Sequence, residues 1–286
     1  MIAGDIVDSH HHLWDTDEVH YALFDEVTEL RRPYRLAEFE ADSAPLGVQA
    51  AICVEAASAG ADGRVETEWL HRHVTGSGLV AALVAWAPLD RRDLGAHLDW
   101  LLSLSDPPIV GVRRSFEFEP PDYAGQPVVA AGARAAGERG LVVDLVLFAG
   151  SLQATIALVD RCPQTQFVLD HLGKPPIRAR RREPWASQLA ELALRPNVAA
   201  KLSGLAVEAD LARWTTDDLR PYVEHAVSCF GPQRLLYGSD WPVVNRAGGT
   251  RRWLRAVSEL LADLPADDRR AVLADNSCRV YGIRAG

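Results

Sequence analysis

The chain has 286 residues, 48% of them hydrophobic, and a formal net charge of -9. That length buries one large core, and α/β barrels often reach it undivided, so a single domain over residues 1–286 is expected. The acidic balance argues against nucleic acid as a partner, because phosphate binding needs concentrated Lys and Arg. No stretch approaches the roughly 20 uncharged apolar residues of a membrane span. The opening "MIAGDIVD" shows no basic n-region or long apolar run, and Cys53, Cys162, Cys229 and Cys278 form no CxxC pair. Both features fit a cytoplasmic protein with reduced thiols.

In chain order, short apolar runs alternate with amphipathic stretches. The candidate strands are "GDIVDSH", "VQAAICVEA", "LVAALVAWA", "PIVGVRRS", "LVVDLVLF", "TQFVLDHLG", "NVAAKLSG" and "RLLYGSD". Most are near-continuous Val, Leu, Ile and Ala, as parallel strands covered on both faces require. Between them lie helical patterns: "RVETEWLHRHVTG", "DLGAHLDWLLSL", "VVAAGARAAGERG", "LQATIALVDRC" and "TTDDLRPYVEHAVSCFG". The last starts on Thr and Asp, which suit an N-cap and the positive helix end, and stops at Gly231-Pro232. Two more helices, "TRRWLRAVSELLADL" and "ADDRRAVLADNSCRVYG", close the chain. Eight strands alternating with helices predict a (β/α)8 TIM-like barrel. An open doubly wound sheet is the competitor, but no GxGxxG follows the first strand. Residues 13–47 and "GKPPIRARRREPW" form long connections that would rise above the C-terminal face. The run Arg178 to Arg182 reads as a solvated loop in preference to an anion site.

Polar residues collect at the strand ends. In "DSHHHLWD" the side chains alternate, so His10 and His12 point together with Asp8 while His11 points away. The fourth strand offers Arg113 and Arg114, of which one faces inward. The fifth holds Asp144, costly inside an apolar run unless it is paired or open at the mouth. The sixth supplies Asp170 and His171, the seventh Lys201, the second Glu55, and the eighth Asp240. Trp14, Trp86 and Trp241 follow strand ends, where indoles either line a pocket or fix loops. His10, His12, His171 and Asp240 together suit one divalent cation with a coordination position left for water.

The chain resembles the amidohydrolase superfamily in its lactonase-rich branch. The matching pieces are "DSHHHLWD", "ETEWL", "GVR", "FVLDHLGKP", "KLSGL", "TTDDLRPYVEHAVSCFGPQRLLYGSDWPV" and "NSCRVYGI". They run collinearly from about residue 5 to residue 283. The resemblance implies a distorted barrel that hydrolyses a small-molecule lactone, with Asp240 handling the water and His171 beside it. It implies that His10, His12, His171 and Asp240 are the ligands of one divalent metal, zinc or manganese, with metal-free catalysis as the alternative. Arg113 corresponds to an arginine directed at the substrate. Glu55, Asp144, Trp14 and Trp86 are the remaining substrate-binding candidates. Glu55 stands where many relatives have Gln, and Arg114 where His is common, so the pocket differs from theirs. Asp144 on the fifth strand, in place of Lys or His, argues against a two-metal centre. A non-oxidative decarboxylase of the related aromatic-acid branch is the alternative activity. The oligomeric state is not legible.

Overall fold

The computed structural model describes residues 6–21, 24, 27–56 and 63–284. Gly4 and Asp5, which open the first candidate strand, lie outside them. Eight strands form one all-parallel sheet in sequential order: β1 (Ile6–His11), β2 (Val48–Val54), β3 (Val80–Trp86), β4 (Ile109–Ser115), β5 (Val142–Val146), β6 (Phe167–Leu169), β7 (Val198–Leu202) and β8 (Leu235–Tyr237). Each matches one of the eight apolar runs, and helices between them cover the outer face. The architecture is a nearly closed (β/α)8 barrel.

Closure between β8 and β1 depends on a few specific bonds. The Asp240 amide donates to the His10 carbonyl at 2.8 Å, and the His12 amide to the Trp241 carbonyl at 2.7 Å. Below them, Ser9 Oγ donates to the Tyr237 carbonyl at 2.6 Å and the Ser239 amide to Asp8 Oδ1 at 2.8 Å. Short side chains thus complete a ladder that three-residue β8 is too brief to make with its backbone alone.

The outer helices are α1 (Leu36–Ser43), α2 (Arg64–Val74), α3 (Leu94–Leu102), α4 (Pro127–Gly137), α5 (Leu152–Asp160), α6 (Trp185–Ala193), α7 (Thr216–Phe230) and α8 (Thr250–Leu260). On α7 a capping box joins Thr215 and Asp218, and Gly231 stops the helix with φ 66°. The chain ends in α9 (Ala266–Arg270), a π-helical turn at Ala271–Asp275, and α10 (Asn276–Tyr281). Asn276 Nδ2 donates to the carbonyls of Pro232 and Leu235, both at 2.8 Å, which docks this segment under β8. Tyr281 then reaches upward into the barrel among Ile52, Val54, Val84, Val142, Val168 and Leu236.

Candidate active site

Period-two alternation lifts a polar residue two positions beyond each apolar one on the inward face. Val142 leads to Asp144, Val168 to Asp170, Ala199 to Lys201 and Gly111 to Arg113, so a charged layer sits on the apolar one. Lys201 Nζ lies 2.5 Å from Asp144 Oδ2 and 3.0 Å from Asp170 Oδ1, all three fully buried. Tyr281 Oη donates to both Asp144 oxygens at 2.8 and 2.9 Å. Burial outweighs these partners and pushes the Asp144 carboxyl up to about 6. Asp170 goes the other way. Burial would raise it, but Lys201, His10 and Arg113 together hold it well below the usual carboxylate range.

His10 and His12 converge above this layer, with their Nε2 atoms 3.2 Å apart. Asp240 Oδ1 lies 3.8 Å from the first and 3.5 Å from the second. His12 Nδ1 is 2.9 Å from the Val54 carbonyl, which can only accept, so Nδ1 carries the hydrogen and Nε2 faces inward. His10 Nδ1 sits 3.3 Å from Asp170 Oδ1 and 3.2 Å from Lys201 Nζ. Burial drives its pKa well below the ordinary imidazole value, keeping the ring neutral. His11 points outward and stacks on Phe39 with centroids 3.8 Å apart. Gly238 is required at this seam, because a Cβ there would sit 2.6 Å from the His10 Cβ.

His171 enters from a left-handed turn. His171, Leu172, Gly173 and Lys174 have φ of 54°, 52°, 69° and 46°. The three non-glycine residues each cost roughly 1–2 kcal/mol in this conformation. The turn is held by Trp185 Nε1 donating to the Leu172 carbonyl at 2.8 Å and by a 2.8 Å contact between His171 Nδ1 and Ser203 Oγ. A Cβ on Gly204 would meet His171 Nδ1 at 2.5 Å, so the ring lies directly on that glycine. Burial lowers the His171 pKa. Asp240 is also left-handed, at φ 59°. Burial alone would raise its carboxyl, but His171 and His12 hold it below its ordinary value. Strain of this kind concentrates where side chains must be aimed.

These groups border a cavity of about 280 Å³. His12, His171, Asp240 and Arg113 form its floor; Trp14, Phe24, Phe118, Phe148, Val207 and Val243 give it apolar walls. His10 lies behind His12 and is fully buried. Arg113 is the inward member of its pair, whereas Arg114 turns to Asp90 and Glu119. The Arg113 charge is already engaged. Its Nε meets Glu55 Oε1 at 2.6 Å, its Nη1 meets Asp170 Oδ2 at 3.1 Å, and its Nη2 donates to the Glu55 carbonyl.

Three of the expected substrate-binding residues do not line this cavity. Glu55 is fully buried against Arg113. Asp144 lies one layer too deep, its oxygens taken by Lys201 and Tyr281. Trp86 turns to His97, which it meets edge-on, and to Gly63, and Trp241 binds Asp42 Oδ2 through its indole at 2.8 Å. Trp14 alone of the three indoles reaches the cavity, anchored by Nε1 donating to the carbonyls of Leu30 and Arg32. Arg178 and Arg180 border a separate depression with Arg213, Asp210 and Asp218. Sequence reasoning gave no role to Lys174, Glu117 and Glu208, which stand around the mouth. The only signal was the position of Lys174 within "DHLGKP".

The donor set suits a divalent cation. Around an ion with metal–nitrogen bonds of about 2.1 Å, tetrahedral ligands lie about 3.4 Å apart, close to the observed Nε2–Nε2 separation. Two ε-nitrogens at 3.2 Å need a proton or a cation between them, since facing lone pairs repel. His10, His12 and Asp240 therefore fit, with His171 close by, its ring centroid 4.6 Å from that of His10. A second grouping, His10, Asp170 and His171, is less suited, because Asp170 already serves Arg113 and Lys201.

Imidazoles and an ionised carboxylate at the C-terminal mouth of such a barrel can prepare a water beside a bound substrate, which is how a barrel hydrolase works. The chain belongs to the amidohydrolase family, whose profile matches residues 7–283. It is 32% identical to an L-fucono-1,5-lactonase of Burkholderia ambifaria over 97% of this chain and 95% of that one. An amidohydrolase from Burkholderia multivorans, crystallised with bound zinc, superposes with a TM-score of 0.87 at 28% identity, covering 98% of this chain and 99% of that one. A 2,6-dihydroxybenzoate decarboxylase, at 16% identity and a TM-score of 0.66, shares the fold over 99% of both chains.

Proposed function

We propose that this chain opens the ring ester of a sugar-acid lactone by adding water to its carbonyl. The observation that carries the reading is the convergence of His12, His171 and Asp240 on the floor of one apolar-walled cavity, with His10 directly behind His12. The full-length similarity to an L-fucono-1,5-lactonase supports it. A divalent ion held by His10, His12 and Asp240, with His171 at hand, would polarise the carbonyl and acidify the water.

The remaining steps belong to side chains. Asp240 is ionised at neutral pH and accepts the proton of the attacking water. Its left-handed backbone and the 2.8 Å bond from its amide to His10 fix the direction in which it does so. As the tetrahedral intermediate collapses, Asp240 returns that proton to the departing ring oxygen. His171, neutral and held on Ser203 and Gly204, lies where it can hydrogen-bond the developing oxyanion. Arg113, committed to Glu55 and Asp170, presents a fixed positive edge beneath the substrate.

The test is a panel of sugar-acid lactones in weak buffer with a pH indicator. Acid release by the wild type and its loss in Asp240→Asn are the expected outcomes. Carbon dioxide release from aromatic acids without ring opening would replace this reading with the decarboxylase.

A further inference from the structure

The cavity mouth carries charges that the hydrolytic step does not use. We propose that Glu117, Lys174 and Glu208 form the specificity element of the lactone site, reading ring hydroxyls and turning away lactones that carry an additional anionic group. This assignment rests on the lactonase reading above. The three residues come from the loops after β4, β6 and β7 and meet at one side of the cavity. Lys174 follows His171 by three residues on the same left-handed turn, so the specificity element and the reacting centre are rigidly joined.

Lys174 Nζ is paired with Glu117 Oε1 and lies 4.0 Å from Glu208 Oε1. Glu117 Oε2 accepts from Ser115 Oγ at 3.3 Å. Among the described residues Glu208 has no donor closer than Lys174, although its side chain is only 22% exposed. A carboxylate so placed needs hydrogen-bond donors, and a hydroxyl group is the uncharged donor that a sugar ring supplies. The Phe148 ring lies 5.2 Å from Lys174 Nζ and offers a flat apolar surface for the C–H face of such a ring.

An anionic substituent at the mouth would find no Lys or Arg among the described residues lining the cavity that is not already paired with a carboxylate. Arg113 is held by Glu55 and Asp170, Lys174 by Glu117, and Arg246 by Glu29 at 2.6 Å. Those are the Lys and Arg side chains among the described residues that line the cavity. Residues 22–23, 25–26 and 57–62 contain no Lys, Arg or His. An extra carboxylate or sulfonate must therefore displace an existing partner or face Glu117 and Glu208 directly. Both options act as built-in discrimination.

Kinetics on two sets of lactones test this: uncharged six-carbon aldonolactones, and aldaric acid lactones of the same ring size with a free carboxylate. Like-charge juxtaposition costs several kcal/mol, so the wild type is expected to favour the uncharged set by about 100-fold or more in kcat/KM. Glu117→Gln and Glu208→Gln should each narrow that gap by about tenfold, raising KM for the uncharged lactone and admitting the anionic one. The wild-type ratio stands as a test even where a variant fails to fold. Equal rates on both sets, or a gap unchanged in both folded variants, overturns the specificity assignment and leaves the lactonase reading intact. Hydrolysis of neither set overturns both.

Discussion

The lower and upper halves of the barrel interior are built on the same strands and do opposite work. The lower half holds Ile52, Val54, Val84, Val142, Val168 and Leu236 around Tyr281. The upper half holds Asp144, Lys201, Asp170, Arg113 and Glu55 beneath the imidazoles. Burying the first set stabilises the fold by removing apolar area from water. Burying the second is close to neutral at best, because desolvation offsets the attraction between partners. The difference teaches that the site is supported by a charged layer that contributes direction more than stability, and the apolar layer underneath makes that affordable.

Four substitutions test the contrast. The largest effect is expected from Asp240→Asn, which should lower kcat by about 10³-fold, in the range of a lost general base, while the variant still folds cooperatively. Next, Lys201→Met leaves Asp144 without a cation in the interior and Asp170 with Arg113 alone, and should cost about 3–5 kcal/mol, read by chemical denaturation. It should also reduce activity, since His10 loses a neighbour that fixes its ring. Leu236→Ala, in the lower layer, should cost about 2–4 kcal/mol through a residual cavity. The kcat of this variant should stay near the wild-type value, and a large fall would erase the division between the halves. The smallest effect is expected at α7, where Thr215→Ala removes half of a capping box for about 1 kcal/mol with no change in turnover. Metal removal sharpens the comparison from another side. Elemental analysis of protein purified without added metal should give close to one ion per chain. Chelation should then lower both the rate and the melting temperature, because a ligand bound only to the folded state stabilises it.

Much of the upper layer was legible because two-residue alternation is strict in a strand. It placed His10 with His12, turned His11 away, and allowed one of Arg113 and Arg114 inward. It could not tell how deep an inward residue lies. Asp144 therefore stood among the substrate-binding candidates, although Lys201 and Tyr281 enclose it below the cavity. Two helices were missed for local reasons. α1 is eight residues with only Phe39 and Ser43 buried, too little to show a stripe, and α6 follows directly on a Pro- and Arg-rich loop that masks its start. The mouth cluster was out of reach altogether. Lys174 and Glu117 are 57 positions apart, and a left-handed turn that no propensity favours brings them together.

The seam between β1 and β8 has a consequence for how the enzyme comes into being. His10 and His12 belong to the first strand made, and Asp240 follows the last, with Asp8, Ser9 and Ser239 stitching the two together. No nascent or truncated chain that stops short of residue 240 can assemble the reacting centre, however well its earlier strands have folded. Recovery of activity during refolding should therefore trail every spectroscopic sign of structure, reporting the moment the ring shuts.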